Sequence, residues 1–199
     1  LAGAVTLDYL DPESFFNTTI TIRPEKKTVV IQGSLDPWIS ENHTVARKMQ
    51  RASLSHMGTS TLSAVKKANG GSLKNYTVVY SNLYSQDVAN LKGFWEKRGF
   101  KPAFKKVSSE DAYAAQGELV ASENSPTVAE ILDWMVLWSD NVLADRLAAL
   151  AARAAGYPLN IQGIESIFRI LLAQYQIDDS KLVVADASGL SKKNKITAK

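Results

Sequence analysis

Cysteine is absent from the 199 residues, which removes a disulfide framework, a thiolate metal site and a cysteine nucleophile together. Histidine is nearly absent as well. His43 and His56 are the two copies, too few for most zinc centres, so neither a metal nor any other cofactor is expected. No uninterrupted apolar run approaches the about 20 residues that span a bilayer, because the alanine-rich stretch 147–155 is bounded by Arg146 and broken by Arg153. No transmembrane segment is expected on that ground. Strong charge of one sign is missing too: 23 basic against 20 acidic residues leave a formal net charge of +3. The local cluster of Lys192, Lys193, Lys195 and Lys199 has no interleaved aromatics and reads as a solvated face, so no nucleic-acid partner is expected. A glycine-rich phosphate loop and a G-x-S-x-G nucleophile elbow are also lacking.

What is present is ordinary globular composition, 45% hydrophobic and 22% charged. That suffices for one large domain or two modest ones without cross-links. The chain starts at Leu1 without a basic and then apolar leader, so an export signal is either absent or already removed. It ends at Lys199 without tail character and reads as a piece of a longer chain. Oligomeric state is not legible here.

The pattern changes along the chain. Thr18-Thr19-Ile20-Thr21-Ile22-Arg23 alternates with period two, and Thr28-Val29-Val30-Ile31-Gln32 is a β-branched run before Gly33, which predicts a hairpin. Leu62 and Val65 mark a helix that stops at Asn69-Gly70-Gly71, and Tyr76-Thr77-Val78-Val79-Tyr80 reads as a buried strand. Val88, Leu91 and Trp95 space as a second helix that closes at Gly99. From Phe104 to Gly117 the pattern is polar and irregular, which places a domain boundary near Gln116.

Beyond it the chain reads as helical. Thr127 and Glu130 fit a capping box, with Val128, Ile131, Leu132, Met135 and Val136 as one buried face. A helix from about Asn141 carries Val142, Leu143, Leu147 and Leu150 and ends at Gly156. A third is drawn by Ile161, Ile164, Ile167, Phe168, Leu171, Leu172 and Tyr175. A strand Lys181-Leu182-Val183-Val184-Ala185 is then expected to feed a small-residue turn.

Ser139-Asp140-Asn141 is a short polar link between two apolar helices. A link held by rigid elements presents a hydroxyl and an amide in fixed geometry, but Ser139 or Asp140 is equally suited to cap the second helix. A bare S-x-N is a weak signal, since Ser40-Glu41-Asn42 and Ser122-Glu123-Asn124 match it too. Its surroundings add more. Ser125-Pro126, Trp138-Ser139-Asp140-Asn141-Val142-Leu143-Ala144-Asp145 and Ala185-Asp186-Ala187-Ser188-Gly189-Leu190-Ser191 together resemble the class C low-molecular-mass penicillin-binding proteins, the D-alanyl-D-alanine carboxypeptidases/endopeptidases of peptidoglycan. The close likeness covers about 122–199. A looser one covers 29–40, where Gly33-Ser34-Leu35-Asp36-Pro37 is similar to the family's glycine-rich turn, and 76–85.

The resemblance implies an α/β (α+β) chain: the helical part of a serine β-lactamase/transpeptidase-like domain at 119–199, with inserted mixed α/β domain material at 1–118. It implies a serine hydrolase that works through an acyl-enzyme, acts on peptidoglycan stem peptides outside the cytoplasm and is acylated by β-lactam antibiotics. Ser139 would relay a proton to the leaving group, Asn141 would hold the acyl side chain, and Ser188 and Leu190 would line the substrate cleft. Two family motifs are missing from these 199 residues. K-T-G or H-T-G does not occur and is expected beyond Lys199. One S-x-x-K does occur, Ser63-Ala64-Val65-Lys66, but it follows the Asp36-Pro37 turn that the family's nucleophile precedes. It reads as a solvated helix face, and the nucleophile is expected upstream of Leu1. Lys192 stands where many relatives carry arginine. The competing expectation is a cell-wall-binding module of the same fold without chemistry.

Overall fold

The alternation at Thr18 becomes part of β1 (Phe15–Arg23), which pairs antiparallel with β2 (Thr28–Gln32), from Thr19 opposite Gln32 to Arg23 opposite Thr28. A 3-10 turn, Pro24–Lys26, and Lys27 at φ 47° reverse the chain between them. The structure is a computed structural model, and residues 1–196 are described. α2 (His43–Lys48) and α3 (Leu54–Ala68) follow, and α3 closes at Asn69 before two glycines of positive φ. β3 (Thr77–Ser81) lies parallel to β2, α4 (Ser85–Glu96) leads out of it, and β4 (Ala103–Lys106) lies parallel to β3. Each parallel step is bridged by helix, as a parallel pair requires a crossover. β5 (Glu118–Thr127) takes the other edge, giving the order β4-β3-β2-β1-β5.

Residues 15–126 form one compact unit on this sheet. Ile20, Ile22, Val29, Ile31 and Val78 from the strands meet Met57 and Val65 of α3 and Leu91 and Trp95 of α4 in one core. The Trp95 indole N–H is satisfied inside it by the Gly58 carbonyl at 3.0 Å. The stretch expected to be irregular holds β4 and α5 (Ser109–Ala114), which packs on β2 and β3. β4 escapes the pattern because it is an edge strand whose Lys105 and Lys106 face solvent.

A second unit is made by residues 1–14 and the described residues from Thr127 on. α7 (Asn141–Ala154) lies at its centre and packs against α1 (Ala2–Tyr9), α6 (Val128–Trp138) and α8 (Ile161–Gln174). Its buried face mixes leucine with Ala144, Ala148, Ala151 and Ala152, small residues that let neighbouring helices approach closely. The capping box forms as expected: Thr127 Oγ1 accepts the Glu130 N–H, and the Glu130 carboxylate accepts the Thr127 N–H at 2.8 Å. Among the described residues no helix is long and apolar enough to cross a membrane.

The units divide the chain differently from the expected 1–118 and 119–199. β5 is hydrogen-bonded into the sheet, so the crossing falls at Pro126, and α1 belongs with the helices because Val5 and Thr6 are buried there. A polar edge strand carries little alternation, and an eight-residue helix carries little periodicity. Three smaller expectations also change. Val136 and Val142 are 67% and 59% exposed, because they lie just outside the buried stripes of their helices. Tyr175 caps α8 and is exposed. Among the described residues the run 181–185 forms no strand: Val183 meets Lys195 in an isolated bridge, and a β-branched run needs a neighbouring strand to pair its backbone. Lys192, Lys193 and Lys195 are exposed as expected, and Lys199 lies outside the described residues.

Candidate active site

α6 ends on Ser139, which adopts a left-handed backbone at φ 51°. Its N–H and that of Asp140 both return to the Met135 carbonyl. A left-handed conformation at a residue other than glycine costs roughly 1–3 kcal/mol and persists only where the surroundings enforce it. Asp140 then starts α7, its carboxylate accepting the Leu143 N–H at 3.1 Å. Capping thus belongs to Asp140. The Ser139 hydroxyl and the Asn141 amide, both on exposed residues, take no part in the cap and are left for other partners.

Ser188 reaches the same place from the far end of the chain. The turn that carries it is shaped by Asp186, whose Oδ1 accepts the Gly189 N–H at 2.8 Å and the Asn194 amide at 2.7 Å, and whose Oδ2 accepts the Ser191 N–H at 2.7 Å. Asn194 Oδ1 accepts in turn from the N–H groups of Ala185 and Asp186. Gly189 sits at φ 80°, where a side chain would be strained. Partial desolvation opposes charge on Asp186, but the hydrogen bonds from Asn194, Ser191, Gly189 and Ser188 outweigh it and hold its carboxyl below the ordinary aspartate range.

These pieces share one cavity of about 250 Å³. Ser139, Asp140 and Asn141 form one wall, Ala187 and Ser188 a second, and Leu1, Ala2 and Gly3 at the start of α1 a third. Of the four residues singled out in sequence, Ser139, Asn141 and Ser188 are brought together. Leu190 is not among the lining residues and is 71% exposed. Sequence reading missed the α1 wall, whose only signal was the short apolar spacing of Ala2 and Val5.

The other conspicuous residues lie elsewhere. Trp38 and Trp95 are core residues. Trp138 is 62% exposed, with its ring centroid 5.3 Å from that of Trp134, and it does not line the cavity. Ser63 and Lys66 are exposed on α3 in the sheet unit, and the Ser63 hydroxyl donates to the Thr59 carbonyl of its own helix. His43 and His56 stack at 4.7 Å, and His56 Nδ1 lies 2.6 Å from Glu123 Oε1. Among the described residues no three His, Cys, Asp or Glu side chains gather in a way that could hold a metal ion. The Gly33-to-Pro37 turn closes the sheet end of β2: Gly33 and Leu35 donate to the Ser81 and Asn82 carbonyls, and the buried Asp36 accepts the Trp38 N–H at 2.7 Å.

Residues 74–199 match the sequence profile of the D-Ala-D-Ala carboxypeptidase 3 (S13) family. The chain is similar to Carboxypeptidase DacB of Mycolicibacterium smegmatis, with 35% identity over 82 residues, 41% of this chain and 18% of that protein. In fold it is similar to penicillin binding protein 4 (dacB) from Haemophilus influenzae, whose crystal structure is complexed with a β-lactam. The TM-score is 0.61 at 15% identity, over 97% of this chain and 63% of that one. The chain therefore spans less than two thirds of either relative. The second likeness establishes the fold, a mixed α/β one as the sequence predicts.

Proposed function

Because the chain belongs to the D-Ala-D-Ala carboxypeptidase 3 (S13) family, we propose that it is part of a serine-type D-Ala-D-Ala carboxypeptidase/endopeptidase acting on peptidoglycan stem peptides outside the cytoplasm. The observation that carries this reading is the single cavity in which Ser139, Asn141 and Ser188 meet, although the two motifs that supply them are far apart in sequence. In the proposed reaction a serine hydroxyl attacks the carbonyl carbon of the penultimate D-alanine. The carbon–nitrogen bond to the terminal D-alanine breaks, and the hydroxyl proton passes through Ser139 to the departing amine. Asn141 orients the acyl side chain, Ser188 contacts the peptide, and water then hydrolyses the ester.

The reading assigns the nucleophile to chain N-terminal to Leu1 rather than to Ser63. Leu1, Ala2 and Gly3 line the cavity, while Ser63 is exposed in the other unit with its hydroxyl engaged by its own helix. A K-T-G segment beyond Lys199 would anchor the terminal carboxylate. The full-length protein is expected to release D-alanine from a peptide ending in D-Ala-D-Ala, and β-lactams are expected to stop that release by forming a covalent adduct. No release and no adduct would favour the non-catalytic wall-binding module.

A further inference from the structure

We infer that Asp145 is a positioning residue for this reaction, fixing the wall that carries Ser188 against the helix that carries Asn141. The inference rests on the acyl-transfer reading above. Asp145 lies four residues after Asn141 on α7, so the two project from one face of the helix. Its Oδ1 accepts the N–H of Ala187 at 2.8 Å and that of Ser188 at 2.9 Å. Neither bond belongs to a helix or a sheet, and both end on the two residues of the 185–191 turn that line the cavity.

The other polar contacts of this segment divide the labour. Asp186 and Asn194 tie the turn to itself and give it its shape. Arg169 on α8 holds the stem, donating to the Asp179 carbonyl at 2.9 Å and to the Leu182 carbonyl at 3.0 Å. Asp145 holds the tip, and it does so from the helix whose first residue is Asn141. Two N–H groups directed at one carboxylate oxygen are charge-assisted bonds, and Asp145 is half-buried rather than free to swing in water. One side chain therefore sets the distance between the acyl-orienting amide and the opposite cleft wall. A displacement of about 1 Å in such a cleft is enough to cost on the order of 10²-fold in rate.

The test uses the full-length protein as wild type, Asp145→Ala and Asp145→Asn, with active sites counted by fluorescent penicillin. Per counted site, Asp145→Ala is expected to lower the acylation rate constant and kcat/KM on a D-Ala-D-Ala peptide by about 10- to 100-fold, with KM raised. Asp145→Asn keeps the oxygen and the size but loses the charge, so it should recover part of the loss. It also decides the matter should the alanine variant fail to fold. A purely structural role would reduce the number of countable sites and the melting temperature while leaving the constants per site unchanged, and that result overturns the inference alone. Absence of any adduct on the wild type would overturn the acyl-transfer reading and this inference with it.

Discussion

Asp140 and Asn141 are neighbours with separable duties. Asp140 accepts a backbone N–H at the start of α7, so Asp140→Ala should cost about 1 kcal/mol of stability, as loss of a helix cap does. Asn141 makes no cap, so Asn141→Ala should leave the melting temperature nearly unchanged. It should slow acylation by roughly 10²- to 10³-fold, the usual effect of removing a positioned hydrogen bond to the reacting group. Thermal melts and penicillin-labelling rates on the two full-length variants check both halves. Asp186 makes a second residue-scale prediction. Its carboxyl is held below the ordinary range in the folded state, so its contribution to stability is present above the ordinary value and is lost as pH falls through the lowered one. Acid denaturation of Asp186→Asn should therefore depend less steeply on pH in that window than the wild type, and an NMR titration of the Asp186 carboxyl should show the depressed midpoint.

At the scale of elements, the helical unit depends on close approach. A methyl on Gly163 of α8 would collide with the Pro158 carbonyl and stand 3.3 Å from the Ala152 side chain of α7. Backbone cannot yield cheaply, so Gly163→Ala should destabilise by about 1–3 kcal/mol while acylation per countable site stays normal, as read by chemical denaturation and labelling. This constraint was not visible in sequence, where Gly163 is one glycine among the apolar positions of a helix. The helices themselves were legible, because α6, α7 and α8 carry apolar residues at helical spacing and begin at Thr127, Asp140 and Asn160, whose side chains accept N–H groups of the first turn. The parallel pairing of β2 with β3 and of β3 with β4 was not, since it depends on which strands the crossovers bring together. The strand expected at 181–185 differs for the same reason in reverse: Val183 and Val184 have the propensity, but among the described residues the pairing is a single bridge from Val183 to Lys195.

For the whole molecule, the two units account for which of the residues singled out in sequence come together. Ser139, Asn141 and Ser188 stand in two separate motifs, and both motifs belong to the unit in which the cavity forms. The α1 wall was missed because the whole sheet unit, residues 15–126, stands in sequence between α1 and the return of the chain at Thr127. The central claim is that Ser139 relays a proton and that the attacking serine belongs to another segment. Peptide mapping by mass spectrometry of the penicillin-treated full-length protein, as wild type and as Ser139→Ala, tests it most directly. The account predicts one adduct, on a peptide N-terminal to Leu1, that still forms in Ser139→Ala at a reduced rate; an adduct on the peptide containing Ser139 or Ser63, or its complete loss in Ser139→Ala, would contradict it.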